Sequence, residues 1–177
     1  MWRRKKAQAW SLYYVVHAPP PWKRTGRLHF LSAFGLLLVL AAFIPILWAA
    51  HLQRQYRHFI SGLGESVLYA KAQGSLYVRQ NGRQFRARGP ASRLYLELNT
   101  AGMGKRQNSA PKSVPDAELE FGNGCILRLW EQDVWDGYNR QWVPGVFVWY
   151  RGANGKIYMY DTDRMQWQTL VRCLPEE

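Results

Sequence analysis

Cysteine and histidine are scarce in this sequence. The 177 residues include two cysteines, too few for a disulfide-dense mini-protein or a four-cysteine zinc site. Four histidines are present, and the last of them is His58. The rest of the chain therefore lacks the usual zinc ligand and the usual general base. These absences disfavour a Ser/His or Cys/His hydrolase in that part of the chain, whereas paired carboxylates remain available for acid–base chemistry.

Acidic residues are absent from residues 1–50, which hold seven lysines and arginines. The formal net charge of +12 is unevenly distributed, because residues 71–113 carry +8 and residues 114–177 carry −4. A basic average of this kind is no argument for nucleic acid, and we do not expect nucleic acid as a partner. An apolar content of 47% with 15% aromatic residues excludes a disordered chain.

No charged residue occurs in residues 28–50. The segment is long enough to cross the hydrocarbon core of a bilayer, which takes about 20 residues of α-helix. Pro45 lies near its end, where a membrane helix tolerates proline, and Trp48 stands where an interfacial anchor belongs. A cleaved signal peptide would have a shorter apolar core and small residues before the cut. The sequence therefore predicts a transmembrane helix over residues 28–50 that acts as an uncleaved signal anchor.

The basic residues that flank this span are asymmetric. Seven precede it, whereas Arg54 and Arg57 are those that follow it closely. This asymmetry predicts a basic cytoplasmic segment over residues 1–27 and places the C-terminal domain outside a bacterial-type cell membrane. Residues 7–17 are apolar between basic groups, which fits either an interfacial segment on anionic lipid or a short disordered tail.

The part beyond the span is predicted to be one helix followed by β-strands. Apolar residues at helical spacing favour an amphipathic juxtamembrane helix over residues 51–72. Three Asn-Gly pairs between apolar or alternating runs predict hairpins with type I′ turns. These pairs are Asn81-Gly82, Asn123-Gly124 and Asn154-Gly155.

Two more strands are predicted over residues 93–99 and 167–174, and a flexible loop over residues 99–115, which are rich in Gly, Ser, Pro and basic residues. The expected fold class is α+β, with one N-terminal transmembrane helix that continues into an amphipathic helix. A mainly antiparallel β domain follows over residues 73–177, sandwich or barrel-like in form.

Cys125 and Cys173 both fall outside the membrane in this orientation. Each is expected to share a strand face with apolar residues, and two core-facing thiols in an oxidising compartment commonly pair. The sequence thus predicts a Cys125–Cys173 disulfide, worth about 4 kcal/mol in the chain-entropy model. Two separate buried thiols are the alternative.

Two sets of side chains are candidate binding surfaces. A basic set would suit anionic lipid, a wall polymer or an acidic partner, although a solvated face is the plainer interpretation. Its members are Arg79, Arg83, Arg86, Arg88 and Arg93. An aromatic set would suit a sugar ring or a partner protein unless another layer covers it as part of the core. Its members are Trp135, Tyr138, Trp142 and Trp149.

Carboxylates cluster twice in the C-terminal part of the chain. The clusters are Glu131, Asp133 and Asp136, and then Asp161 with Asp163. Oxygen ligands at such spacings suit Ca²⁺, but Asp, Asn and Gly are also the residues that tight turns use. We favour the turn interpretation, and expect neither a metal site nor a cofactor.

These features predict a non-enzymatic, membrane-anchored interaction or assembly module of the cell envelope. The expected partners are the lipid bilayer and other envelope or membrane proteins. A structural subunit of a pilus or secretion apparatus is the second interpretation. The chain resembles the layout of a type IV pilin-like subunit, which has a basic leader ending at a glycine (here Gly26), an apolar helix, its amphipathic continuation and a β domain. The processing site of that family has an apolar residue after the glycine and a glutamate at the fifth position of the mature chain. This sequence has Arg27 and Leu31 at those two positions. An envelope carbohydrate-binding protein or a carboxylate-based enzyme is the third interpretation.

Overall fold

The computed structural model describes residues 21–102 and 104–176, with side chains from residue 33 onward. Most of the predicted cytoplasmic segment, including residues 7–17, lies outside the described residues. The chain divides into two compact units, Met1–Ala49 and Ala50–Glu177.

Three helices and seven strands make up the described part. The helices are α1 (Pro21–Gln73), α2 (Ser92–Ala101) and α3 (Trp167–Val171). The strands are β1 (Tyr77–Gln80), β2 (Arg83–Arg86), β3 (Lys105–Arg106), β4 (Ala117–Glu120), β5 (Ile126–Asp136), β6 (Gln141–Arg151) and β7 (Ile157–Thr162).

Helix α1 continues without a break past Pro45. Residues 33–50 are uncharged, and their side chains are all exposed within the chain. Among the described residues, Ala33–Gln73 is the one helix long and apolar enough to cross a membrane. The predicted long apolar N-terminal helix is thus confirmed, and its length and composition fit a membrane anchor or a signal sequence.

All seven strands join one antiparallel sheet in the order β2-β1-β4-β5-β6-β7-β3. The edge strands β2 and β3 are four and two residues long. They do not pair with each other, so the sheet is open. The α+β class is confirmed, but the expected sandwich or barrel is wrong. Helices cover the apolar face of the sheet, so neither closure nor a second sheet is needed to bury it.

The three Asn-Gly pairs lie between strands that do pair with each other, as predicted. Asn81 and Gly82 have φ values of 51° and 75°, as a type I′ turn requires. In the second connection Gly122 and Gly124 have positive φ, and in the third Gly155 does. These two connections differ from the predicted turn type because they are longer and their asparagines keep negative φ.

The predicted strand over residues 93–99 is wrong, since this segment lies in helix α2. Leu94, Leu96 and Leu98 alternate in sequence, which suggested a strand. Leu94 and Leu98 also lie one helical turn apart, and both are buried, whereas Leu96 is 55% exposed. The core therefore buries the residues spaced as in a helix and leaves Leu96, which the strand alternation would bury, in solvent.

The predictions for residues 167–174 and 99–115 also need correction. Residues 167–174 form the short helix α3 and a turn instead of a strand, and Leu170 is fully buried there. The loop predicted over residues 99–115 is interrupted, because α2 extends to Ala101 and β3 occupies Lys105–Arg106.

The second half of α1 and helix α2 cover one face of the sheet. The Phe59 ring centroid lies 5.6 Å from that of Tyr150 on β6. A Cβ at Gly62 would lie 3.4 Å from the Tyr150 hydroxyl, and a Cβ at Gly64 would lie 3.2 Å from the Tyr95 ring. Glycines that weaken α1 as an isolated helix therefore allow the sheet and α2 to approach it closely.

The opposite face of the sheet is covered in part by residues 107–116. The Trp130 indole donates a hydrogen bond to the Ser113 carbonyl at 3.0 Å, and its ring lies edge-on to Phe147 at 5.5 Å. Trp130 and Phe147 are 5% and 2% exposed. Part of the aromatic-rich region is therefore a second, smaller core.

Candidate functional site

Strands β5 and β6 extend beyond their neighbours as a two-stranded arm, which we define as residues 131–145. Strand β4 pairs with β5 only as far as Leu129, and β7 pairs with β6 only from Val146 onward. The β5–β6 pairing itself continues to Asp136 and Gln141. The arm is therefore a hairpin that neither β4 nor β7 flanks.

Three of the four predicted aromatic residues lie at the end of this arm. Trp135 and Trp142 are directly opposite each other, and their ring centroids are 5.7 Å apart in an edge-on arrangement. They are 42% and 67% exposed, and Tyr138 in the turn is 93% exposed. Their mutual contact fixes the two indoles while leaving a large apolar area in water.

Trp149 does not belong to this surface. It pairs with Arg128, whose guanidinium carbon lies 4.8 Å from the Trp149 ring centroid. Arg128 also donates a 2.6 Å hydrogen bond to Glu118. Trp149 is thus half-buried beneath a cation–π contact within the sheet.

The first carboxylate cluster is distributed along the arm. Glu131 and Asp133 are exposed on the same face as Trp135, since alternate residues of a strand share a face. Asp136 accepts hydrogen bonds from the backbone N–H groups of Tyr138 and Asn139 at 2.8 and 3.3 Å. The bond from Tyr138, followed by one from the Asn139 side chain, lowers the pKa of Asp136. Asp136 therefore organises the turn, as the turn interpretation expects.

The second carboxylate pair is separated from the first. Asp161 is 8% exposed and lies beside Phe147, whereas Asp163 is exposed. Within residues 21–102 and 104–176, no three His, Cys, Asp or Glu side chains are grouped to hold a metal ion.

The predicted basic set is divided among different environments. Arg79 lies 3.7 Å from the Glu118 carboxylate and donates to Gln84 at 3.1 Å. Arg86 donates to the Gly74 carbonyl at 2.8 Å, and Arg83 is exposed at the start of β2. Arg79 and Arg86 are thus largely engaged within the chain.

Arg88 and Arg93 instead line an open cavity of about 630 Å³, together with Arg172. We call this cavity the arginine groove. Residues 88–90, the first turn of α2 and residues 172–176 form its walls. Arg172 was missed in the sequence because it is distant from the other two in the chain and carries no pattern of its own.

A second cavity of about 320 Å³ lies between α1 and two loops of the sheet. Buried Ser66 is within 2.9 Å of the Tyr150 hydroxyl, and the Asn123 side chain donates to Ser66 at 3.3 Å. His58 and Cys125 line the same cavity. Desolvation raises the pKa of Tyr150, so this hydroxyl stays protonated.

This arrangement brings His58 to the sheet side of the chain, which the sequence interpretation did not foresee. His58 lies on the same helical face as Ser61, Gly62 and Glu65, at spacings of three, four and seven residues. Among the described hydrogen bonds, none joins His58 to Ser66 or Cys125. Ser66 instead has Tyr150, Asn123 and the Gly62 carbonyl as its described hydrogen-bond partners.

The predicted disulfide is absent from the structure, in which Cys125 and Cys173 are both free thiols. Cys125 lines the cavity beside Tyr150, whereas Cys173 lines the arginine groove. Helix α3, formed where a strand was expected, places Cys173 among different neighbours from those of Cys125. Burial raises the pKa of Cys173, and the nearby charge of Glu97 adds to this effect.

Comparison of the chain with protein-family models, curated proteins and solved structures finds no match.

Proposed function

We propose that this protein is a membrane-anchored interaction or assembly module of the cell envelope, without enzymatic activity of its own. Helix α1 would hold it in a cytoplasmic-type membrane with the N-terminus inside, and residues 51–177 would face outward. The partner would be another envelope or membrane protein that contacts the arm. The pair of exposed indoles, Trp135 and Trp142, is the observation that carries this proposal.

Exposed tryptophans on a projecting hairpin are typical of binding surfaces. Tryptophan and tyrosine contribute much of the free energy of binding at protein interfaces, because large rings bury apolar area at a small entropic cost. The arm brings Trp135, Trp142 and Tyr138 together where neither β4 nor β7 flanks it. A partner could therefore bury both indoles without displacing any part of the fold.

The test uses the full chain in its own membrane, with a photo-crosslinking residue in place of Tyr138 and, as a matched control, in place of Val114. Both positions are highly exposed, at 93% and 83%. We expect a discrete adduct of the same partner from position 138 and none from position 114. The double variant Trp135→Ser/Trp142→Ser should abolish the adduct while circular dichroism shows an unchanged fold.

The variant Asp133→Asn separates this proposal from an enzyme. A catalytic carboxylate typically loses about a hundredfold or more in rate when it becomes an amide. We expect Asp133→Asn to complement a deletion strain as well as the wild type, and Trp135→Ser/Trp142→Ser to fail. The reverse pattern would contradict the proposal.

A carbohydrate ligand is the second candidate for the same surface. Glu131, Asp133 and Trp135 share one face of the arm, and a ring beside carboxylates suits a sugar. Binding of soluble wall-polymer fragments that depends on Trp142, with no protein adduct from position 138, would favour this candidate.

A pilin-like assembly subunit remains the alternative architecture. One helix spans Pro21–Gln73, and its second half packs on an antiparallel sheet. Processing of the type found in that family would give a mature chain that starts at Arg27. N-terminal sequencing therefore separates the two proposals, since an anchored module would keep its N-terminal segment.

A further inference from the structure

The arginine groove is lined by three arginines, none of which forms an ion pair within residues 21–102 and 104–176. Among the described residues, the ion pairs join Arg79 and Arg128 to Glu118. Arg88, Arg93 and Arg172 all line the groove and take no part in these pairs. Charges of one sign repel one another when they are gathered without a partner, so the arrangement favours an added anion.

A backbone hydrogen bond and buried neighbours hold the segments that carry these arginines. The Arg88 N–H donates to the Glu176 carbonyl at 3.1 Å, which ties the C-terminal segment to the start of the groove. Ala91, Leu94 and Leu174 are 2%, 1% and 7% exposed. Leu174 lines the groove, and Ala91 and Leu94 anchor the start of α2 beside it in the core, while the long cationic side chains stay at the surface.

Helix α2 contributes to the same electrostatic field. Its first turn lines the groove and contains no acidic residue, and Ala91 at the N-cap offers no side-chain acceptor. The positive end of the helix dipole thus adds to the arginine charges. Glu176 is the one acidic residue among those lining the groove.

A fourth cation lies next to the groove. A smaller cavity of about 140 Å³ shares Arg88, Gly89 and Pro90 with it and is also lined by Lys71. Three arginines and this lysine carry more positive charge than a ligand with a single carboxylate group would neutralise. Planar guanidinium groups bind the oxygens of phosphate in pairs, and phosphate carries the higher charge.

We propose that the arginine groove binds a phosphate monoester, held by Arg88, Arg93 and Arg172. The volume of about 630 Å³ suits a small organic phosphate or a lipid headgroup. This site is separate from the arm, and binding at it does not depend on the function proposed above.

The experiment measures binding to the full chain in a nonionic detergent by isothermal titration calorimetry. Glycerol 3-phosphate is the soluble probe, and dihexanoyl phosphatidic acid presents the same phosphate on an acylated glycerol. We expect saturable binding of at least one probe at one site per chain. Tighter binding of the lipid would assign the site to a headgroup, and equal or tighter binding of glycerol 3-phosphate to a soluble ester.

The decisive variant is Arg88→Gln/Arg93→Gln/Arg172→Gln, and the matched control is Arg57→Gln/Arg83→Gln/Lys112→Gln. Both remove three positive charges from exposed positions, which leaves the fold intact. We expect the groove variant to lose about tenfold or more in affinity and the control to stay within about twofold.

A third variant, with lysine at all three groove positions, keeps the charge and removes the paired donor geometry. An affinity between those of the wild type and the glutamine variant would support arginine-specific recognition. The proposal is overturned if the wild type binds neither probe. It is also overturned if the groove and control variants lose affinity equally, because the attraction would then be general.

Discussion

Asp161 is a carboxylate placed where water scarcely reaches it. The Gln107 side chain donates to its Oδ2, whereas Oδ1 is buried and has no hydrogen-bond partner among the described residues. Desolvation raises the pKa of Asp161, an effect that Gln107 and then the positive charge of Lys105 reduce. Ionisation of Asp161 therefore lowers the free energy of unfolding, because the carboxylate is desolvated in the folded state and hydrated in the unfolded chain.

The sign of this effect gives a pH prediction. The pKa of Asp161 is higher in the folded protein than in the unfolded chain. The loss of stability caused by its ionisation is therefore complete above the folded-state pKa and disappears as the pH falls through that value. We expect Asp161→Asn to raise the unfolding midpoint at pH 8 by a few degrees, equivalent to about 1 kcal/mol. The gain should shrink toward pH 4, measured by thermal melts of the full chain in detergent. A variant less stable than the wild type at pH 8 would show that the ionised form is needed.

Gly145 is the second residue whose position makes a sharp prediction. A Cβ there would lie 2.6 Å from the Thr162 carbonyl oxygen and 2.6 Å from Val134. We expect Gly145→Ala to cost about 1–3 kcal/mol of stability, because a backbone atom must move. Gly137→Ala is the control, since nothing lies within 4 Å of its added methyl. Equal melting midpoints for the two variants would contradict the packing described for the base of the arm.

At the scale of single elements, helix α2 shows how far the sequence could be interpreted. Leu94, Leu96 and Leu98 satisfy the two-residue period of a strand, and Leu94 with Leu98 satisfies the helical one. Which period applies depends on the surface that the segment meets. That surface comes from α1 and the sheet, which are distant in sequence. Tertiary packing therefore decided an ambiguity that local pattern left open.

The element prediction follows from that distinction. Leu98 is 4% exposed and Leu96 is 55% exposed. We expect Leu98→Ala to cost about 2–5 kcal/mol and Leu96→Ala less than about 0.5 kcal/mol. Chemical denaturation of the full chain measures both. Equal costs at the two positions would support the strand that the alternation suggested.

The hairpins show the opposite case, because local chemistry was sufficient to place all three connections, although only Asn81-Gly82 has the predicted turn type. Asn81-Gly82 adopts the backbone that its residues favour, and all three Asn-Gly segments separate paired strands. The arm was not foreseen, since Asp136 and its neighbours indicated a turn without indicating how long the flanking strands are. Of the four aromatic candidates, the structure brings Trp135, Tyr138 and Trp142 together at the end of the arm and places Trp149 elsewhere. The separate position of Trp149 could not be predicted, because nothing in the sequence shows that Arg128 covers it.

At the scale of the whole molecule, the prediction concerns membrane topology. If α1 is a signal anchor, protease added to intact spheroplasts should remove residues 51–177 and spare an N-terminal tag. The intact chain should also keep the mass of all its residues, because no cleavage is expected. Protection of the C-terminal domain would reverse the orientation, and a mature chain starting near His51 would identify the part of α1 before residue 51 as a cleaved signal sequence.

The arm also bears on how the protein avoids uncontrolled self-association. Unpaired strand backbones are templates on which further chains can add, and growth of that kind ends in fibrils. On the arm, Pro144 has no N–H to offer an incoming strand, and Glu131 and Asp133 would repel the same residues of a second copy. The arm can thus keep two indoles exposed to solvent while remaining a poor template for the addition of further strands.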